Sequence, residues 1–430
     1  MKTMRLPFVL FTMARIGLAV AARGLVASGL AAGPADFGPP PGVVITASPD
    51  PSSVFLASPT ITILPDGSYV AAHDYGGPGA GAKRGETFVL ASHDRGATWA
   101  KLTELADQHW STLFVHRGAL YLIGVTSTKG NVVIRRSRDG GRTWTNPHDA
   151  RTGLLAAIHG HCGPTPVVIH GGRVWRAFEE FSPTPPVRSF KAFVLSAPEE
   201  ADLLDAASWT RTNALPFDHT WLNTRTSEWL EGNVVVTPDD RLVDILRIES
   251  HPAAGAAFVL PGAAKNIPRF EVAAMVSISA DGARASFDPA RDFIHFIGSE
   301  SKFTIRFDPG SKRYWTLGDK ITNPGSGADW EHSPHHQRNV IALASSRDLR
   351  DWQEHYRLLS YAAGTAVVKA GSRVGFQYLD WQFDGDDIIA VCRTSWGGAN
   401  YHDSNFITFH RLKNFRHLSP ADSPPDLAAR

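Results

Sequence analysis

Runs of four to eight apolar or aromatic residues, broken by "PDG", "RG", "GG" and "DG", fill the chain from residue 42 to residue 415. Few segments carry helical spacing. Short runs bounded by Gly, Pro and Asp read as strands joined in hairpins. The hairpins come in pairs. "SPTITILPDGSYVAAHD" (58–74) is followed by "FVLASHDRGATWAKL" (88–102), and the same two-hairpin unit recurs at 111–147, 165–210, 232–289, 302–356 and 375–415. Six units of this kind predict an all-β fold, a β-propeller of four-stranded antiparallel blades. The sixth unit is one strand short. "GVVITAS" (42–48) can supply that strand and close the ring, which removes an exposed edge. Seven blades is the alternative, if a long unit hides another.

A polar pattern recurs inside the second hairpins. "SHDRGATW" (92–99) and "SRDGGRTW" (137–144) fit S-x-D-x-G-x-x-W, and "SADGARASF" (279–287) and "SSRDLRDW" (345–352) are degraded copies. The residue types suit a turn: Asp bonds the backbone around it, Gly supplies positive φ, and Trp packs back on the blade. A catalytic cluster would not be needed several times around a ring, so Ser92, Asp94, Gly96 and Trp99 read as structural.

These spaced copies resemble the Asp-box (BNR repeat) of the sialidase superfamily, and the resemblance covers most of residues 42–415. It implies a propeller whose site lies on the axial face. Sialidases grip a substrate carboxylate with three arginines, attack with a Tyr assisted by a Glu, and use an Asp as acid/base. "FLASPTITIL" departs from their pattern, with Ala57 near the first arginine's place. Glu231, sixteen residues before Arg247, and Arg306 one blade later match the corresponding residues by blade and spacing. Arg247 and Arg306 would otherwise be surface or inter-blade ion pairs. "SPTITILPDGSYVAAHD", "EWLEGNVVV" and "GFQYLDWQFDGDD" most resemble a branch that acts on rhamnose linked to glucuronic acid, described both as lyases and as α-L-rhamnosidase with a catalytic histidine. His73 is the best positional match to that histidine.

Further candidates flank strand ends that can converge on the axis: His73 and Asp74, His109, Trp110 and His116, His159 and His161, Tyr378, Asp380, Trp381 and Gln382, and Arg393, Asn400, His402 and Asp403. β-Elimination at a uronate needs its carboxylate neutralised, a base for the C5 proton and an acid for the leaving oxygen. Arg247 or Arg393 would neutralise, His73 would be the base, and Tyr378 an alternate acid/base. Hydrolysis would draw on a carboxylate pair, for which Glu231 and Asp380 are available. The catalytic set is therefore His73, Tyr378 and Glu231. The substrate-binding set is Arg247, Arg306, Arg393, Trp110, His116, His161, Asp380, Trp381, Gln382 and His402. Trp110 and Trp381 either stack on sugar rings or pack the blades. "HGH" at 159–161 lacks a third ligand in view, so no metal and no cofactor is expected, with a structural calcium left open.

Composition adds bounds. Forty-three Lys and Arg against forty-two Asp and Glu give a formal net charge of +1, which offers no reason to expect nucleic acid. Cys162 and Cys392 have no metal-type spacing, and their pairing is open. Lys2 and Arg5, an apolar run and small residues at 27–33 read as an export signal over 1–33. Arg15 and Arg23 interrupt that run, which argues against a membrane span. A Pro/Gly linker (34–41), the propeller (42–416) and a polar tail (417–430) come after it. The expectation is a secreted or periplasmic, exo-acting carbohydrate-active enzyme, a polysaccharide lyase or glycoside hydrolase, on an acidic oligosaccharide or polysaccharide. It would cleave terminal rhamnose from glucuronate by β-elimination or hydrolysis. The alternatives are a sialidase-like exo-glycosidase and a non-catalytic sugar-binding propeller, which would not need His73.

Overall fold

The computed structural model describes residues 37–429 except 84, 183–188, 223, 253–260, 263–266, 268, 325–333 and 366–371. The expected export signal and the start of the linker lie outside the described residues. Among the described residues the strands group into six antiparallel sheets, so the count is six blades rather than seven. Blade I comprises Phe55–Ile63, Tyr69–Gly76, Thr87–Ser92 and Ala100–Leu105. Blade II comprises His109–His116, Ala119–Val125, Val132–Ser137 and Leu154–Ala156. Blade III has a broken inner strand, Gly160–His161 and Val168–His170, then Arg173–Ser182, Ser189–Pro198 and a split outer strand, Thr210–Arg211 and Leu215–Pro216. The inner break holds Pro164 and Pro166, which cannot donate to a ladder. Blade IV comprises Thr224–Val236, Leu242–Pro252, Val272–Ile278 and the split pair Ala285–Ser286 and Phe293–His295. Blade V comprises Thr304–Asp308, Arg313–Asp319, Val340–Ser346 and Gln353–Ser360. Blade VI comprises Val374–Asp384, Asp387–Trp396 and Phe406–Leu412, and Val43–Ala47 pairs with the last of these as its fourth strand. The N-terminal strand thus closes the ring, as its sequence predicts.

Blades pack face to face. Six buried apolar clusters form, each shared by two neighbouring blades. Trp175 of blade III and Trp229 of blade IV, both nearly inaccessible, anchor one of them. Because both faces of a sheet are covered, strands read as continuous apolar runs instead of alternating ones. Thr87–Ser92, buried at every position, is an example. The tail beyond residue 417 is docked: Leu418 and Leu427 pack on the cluster between blades V and VI, and Asp426 accepts from the backbone N–H groups of Ala362 and Ala363. Cys162 and Cys392 are free and buried.

The S-x-D-x-G-x-x-W stretches begin at the ends of third strands, and the two full copies make the same bonds. Asp94 accepts from Ser92 Oγ, from Thr98 N at 2.9 Å and from Thr98 Oγ1 at 2.6 Å, and Trp99 Nε1 donates to Gly96 O. Asp139 accepts from Ser137 Oγ, from Thr143 N at 2.9 Å and from Thr143 Oγ1 at 2.6 Å, and Trp144 Nε1 donates to Gly141 O. Gly96 has φ 92°, and a Cβ there would fall 2.3 Å from the Phe409 ring. Only glycine meets both demands. In blade II the fourth strand starts at Leu154, later than the "RTWTNP" run suggests, because residues after Trp144 form a bonded loop.

The axis is closed by a belt of side chains, one from each inner strand. Thr60 Oγ1 donates to Asp380 Oδ2 (2.8 Å) and accepts from Leu113 N (3.1 Å). Thr112 Oγ1 donates to Thr165 O, and Thr165 Oγ1 donates to Gly232 O. Asn233 Nδ2 donates to Phe303 O while its Oδ1 accepts from Ile305 N. Thr304 Oγ1 donates to Leu379 O and completes the circuit. All six belt residues are buried.

Candidate functional site

Two residues before the belt, four inner strands do the same thing. Their pairing with the second strand slips between Ala57 and Thr60, His109 and Thr112, Leu230 and Asn233, and Gln377 and Asp380. Each slip holds a non-glycine residue in the left-handed region: Ser58 (φ 49°), Trp110 (φ 50°), Glu231 (φ 57°) and Tyr378 (φ 57°). Bulges re-aim side chains, and left-handed non-glycine residues persist only where the surroundings impose them. Here all four line one cavity of about 250 Å³ on the axis.

The second strands add charge at three of the four equivalent places. The residues paired opposite these bulge starts are Asp74 (to Ala57), Val125 (to His109), Arg247 (to Leu230) and Arg393 (to Gln377). In blade III, Glu179 pairs with His161 in the same way. Asp74 Oδ2 accepts from Trp110 N at 2.8 Å and so fixes the left-handed turn there. Burial pushes the Asp74 carboxyl up to about 7. Glu179 accepts from His161 Nδ1 at 2.7 Å. Arg247 Nε lies 3.2 Å from Glu231 Oε2, and its NH2 lies 2.8 Å from Glu249 Oε2. Burial opposes the Arg247 charge, and Glu231, Tyr378 and Glu249 overcome it and raise its pKa.

Arg393 differs from Arg247. It lines the cavity, is 4% exposed, and makes no carboxylate ion pair among the described residues. Its NH2 donates to His402 O at 2.6 Å, and its Nε has no hydrogen-bond partner. Its guanidinium lies 5.3 Å from the ring centres of Phe55 and Tyr378. Burial lowers its pKa to about 10. Arg338, also buried, lies 5.8 Å from the Tyr378 ring centre and donates to Gln377 Oε1. Burial and the neighbouring Glu231 push the Tyr378 phenol up to about 12. His402 Nδ1 is bonded to Asp403 Oδ1 at 2.8 Å, and partial desolvation together with the neighbouring Arg393 lowers the imidazole pKa.

The structure therefore brings together seven of the expected residues: His109, Trp110, His161, Glu231, Tyr378, Arg393 and His402 all line the cavity. Arg247 stands behind Glu231. His73 is elsewhere. It is 1% exposed, stacks on Phe88 at 5.4 Å, and neither ring nitrogen finds a hydrogen-bond partner. Its place on a second strand, one residue before Asp74, whose carboxylate reaches Trp110 N, turns it into the blade. His116 bonds Glu199 O at the far end of its strand. Asp380 belongs to the belt, and Trp381 is fully buried with Nε1 on Thr304 O. Arg306 and Gln382 point to the opposite end of the axis, where Arg306 NH2 lies 3.3 Å from Asp380 Oδ1. Phe55, Ser58, Tyr75 and Cys162 line the site without having been expected, and Arg338 backs it. The signal for Ser58 is a repeat of spacing, Ser58/Thr60 beside Trp110/Thr112, Glu231/Asn233 and Tyr378/Asp380. Arg338 has no such signal.

No family model matches the chain, and no curated protein matches it. Solved structures do. The α-L-arabinofuranosidase Arb93A from Fusarium graminearum, in complex with an iminosugar inhibitor, superposes with TM-score 0.54 at 12% identity, over 88% of this chain and 98% of that one. A protein of unknown function from Dyadobacter fermentans gives TM-score 0.54 at 13% identity, over 86% and 97%. A Hadza microbial sialidase gives TM-score 0.51 at 14% identity, over 84% and 66%. The fold is a sialidase-like β-propeller. At these identities the likeness shows the fold alone. Among the described residues no helix is long and apolar enough to cross a membrane.

Proposed function

We propose that the chain is a secreted or periplasmic carbohydrate-active enzyme that binds the end of an acidic glycan in the axial cavity and cleaves terminal rhamnose from glucuronate by β-elimination. The observation that carries this reading is Arg393, a buried cation without a carboxylate partner, beside a neutral phenol and neutral imidazole. A buried unpaired guanidinium is costly, and a substrate carboxylate would offset that cost through charge-assisted bonds. The cavity volume of about 250 Å³ is just below the roughly 300 Å³ at which drug-sized pockets begin, which suits one sugar unit at a chain end. The glycosidase names of two fold neighbours, an arabinofuranosidase and a sialidase, agree with the class.

The roles follow from the atoms. Arg393 neutralises the uronate carboxylate and makes the C5 proton acidic. His161, with Nδ1 tied to Glu179, presents Nε2 as the base for that proton. The C4–O bond breaks as a C4–C5 double bond forms, and Tyr378 gives its proton to the departing rhamnose oxygen. A neutral Tyr378 is the form an acid needs. Hydrolysis is a second reading, because Glu231 is close enough to raise the Tyr378 pKa. Tyr378 would then attack the rhamnose anomeric carbon as its bond to glucuronate O4 breaks, Glu231 would take the phenol proton and pass it to the departing O4, and water would then cleave the glycosyl–tyrosine, the tyrosine variant of a retaining glycosidase.

Incubation with a rhamnose–glucuronate-capped arabinogalactan separates these outcomes. Free rhamnose with the ultraviolet absorbance of an unsaturated uronate supports elimination. Free rhamnose without it supports hydrolysis. Release of sialic acid from a control glycan, with no rhamnose, overturns the rhamnose–glucuronate assignment, and no release from either leaves a binding propeller.

A further inference from the structure

A second cavity, of about 950 Å³, opens beyond the belt at the other end of the axis, walled by blades III to VI. Past the belt the inner strands change character. Val168, Val235, Ile305, Phe307 and Phe383 line the cavity, and no Asp or Glu is among its lining residues. One of the four exposed large hydrophobic residues among the described ones, Phe307, 49% exposed, lines this mouth. Single exposed apolar residues need no explanation, but an apolar concavity of this size does.

The charges among the lining residues are cationic. Lys312 and Arg347 line the cavity, are exposed, and make no ion pair among the described residues. Arg306 faces the same space with its charge part-compensated by Asp380. Two outward carboxylates are bonded to lining residues: Asp240, 3.6 Å from His170, and Asp239, which accepts from Thr237 Oγ1 at 2.6 Å and is paired with Arg241. An apolar chamber with cations and no anion in its lining is complementary to an amphiphile with one negative group.

We propose that this cavity is a binding site, separate from the axial sugar site, for a molecule with an apolar chain or aromatic body and one carboxylate or sulfonate head. The body lies on the valine, isoleucine and phenylalanine wall. The head reaches Lys312 and Arg347. The belt and the Trp381 side chain separate the two sites, so occupancy here does not require a sugar in the other.

Fluorescence titration with anilinonaphthalene sulfonate, and its displacement by dodecanoate, tests the site on the folded chain. Saturable one-to-one binding is expected, with displacement by dodecanoate and none by dodecyltrimethylammonium. The Lys312→Glu/Arg347→Glu variant, altered only at exposed positions, should bind about tenfold more weakly with an unchanged unfolding midpoint. Val235→Trp, which fills the chamber, should abolish binding; if it unfolds, the charge variant still decides. Absence of saturable binding, equal displacement by the cationic detergent, or unchanged affinity in the charge-reversed variant would each overturn the proposal.

Discussion

Replacing Arg393 by Met separates a cation kept for substrate from one kept for the fold. The guanidinium is buried, and burial takes its pKa from 12.5 to about 10, which corresponds to about 3 kcal/mol against the charged form. The folded value lies below the unfolded one. The penalty is therefore whole at every pH below about 10 and fades only as pH rises through 10 toward 12.5. Against it stand the 2.6 Å bond to His402 O, worth about 1–2 kcal/mol, and the contacts with Phe55 and Tyr378, worth about 0.5–1 kcal/mol. Methionine keeps most of the apolar stem and removes the charge. The variant should be as stable as the parent or up to about 1 kcal/mol more stable, a Tm change of about 1 °C for a chain of this size. Turnover should move the other way, with kcat/KM on the rhamnose–glucuronate cap falling about 10²–10³-fold for loss of a bidentate charged contact. Calorimetry and initial rates on the same preparation read both. A Tm drop of about 4 °C or more, as expected for breaking a useful buried ion pair, would refute the reasoning, and so would kcat/KM within about threefold of the parent.

His73→Phe should keep full turnover. Its folded pKa of about 4, set by burial, lies below 6.5, so the parent loses up to about 3 kcal/mol as pH falls from about 6.5 to 4; the variant, compared by urea midpoints, should be spared that loss. A variant deficit equal at both ends of the range would sink this account, and lost activity would return His73 to the mechanism. Tyr378→Phe should remove turnover by at least about 10³-fold while leaving the unfolding midpoint within about 1 °C, because the phenol oxygen is kept for chemistry; a folded variant with parental rates excludes Tyr378 as acid. Asp380→Ala should cost about 3–5 kcal/mol, since Thr60, Ile61 N and Arg306 lose their acceptor together, and calorimetry showing less than about 1 kcal/mol would remove the belt from the stability account. Asp94 and Asp139 are held at about 2, chiefly by the Thr98 and Thr143 hydroxyls, so what they contribute is present above 3.8 and lost as pH falls through about 2. The Asp94→Asn/Asp139→Asn protein should therefore show a flatter acid limb in thermal scans with unaltered turnover, and an identical limb would contradict these turns' role.

Blade number, ring closure by Val43–Ala47 and the turn function of the Asp-Gly-Trp stretches were legible because each rests on local chemistry repeated along the chain. Apolar runs, φ-positive glycines and Asp-centred turns announce themselves within ten residues. The site was legible in part for the same reason. Trp110, Glu231 and Tyr378 sit at one place in the first strands of blades II, IV and VI, and Arg247 and Arg393 at one place in the second strands of blades IV and VI. His73 looked equivalent but is one residue out of register, and one residue moves a side chain to the other face of a strand. Asp380, Trp381 and Gln382 failed similarly: they follow Tyr378 in sequence, yet the bulge at Tyr378 spends the cavity-facing position there and leaves its successors in the belt, the core and the far cavity. Arg338 could not be read at all, because it enters from the connection before Val340–Ser346, outside the repeating strands.

The repeat also explains why fold and chemistry can be altered separately in this chain. At the belt position the six blades carry Thr, Thr, Thr, Asn, Thr and Asp, all short side chains that can bridge to the next strand. Two residues earlier, the four bulged strands carry Ser, Trp, Glu and Tyr, which share no property except a left-handed backbone. A position under common geometric demand converges on similar residues even within one sequence. A position that is merely aimed, by a bulge whose backbone bond comes from elsewhere, is free to differ. Asp74 shows the link between the two: its carboxylate stabilises the bulge at Trp110 from the neighbouring blade and has no need of the Trp110 side chain. Substitutions at Ser58, Trp110, Glu231 or Tyr378 should therefore change what the cavity does before they change whether the ring forms, and substitutions at Thr60, Asn233 or Asp380 should do the reverse.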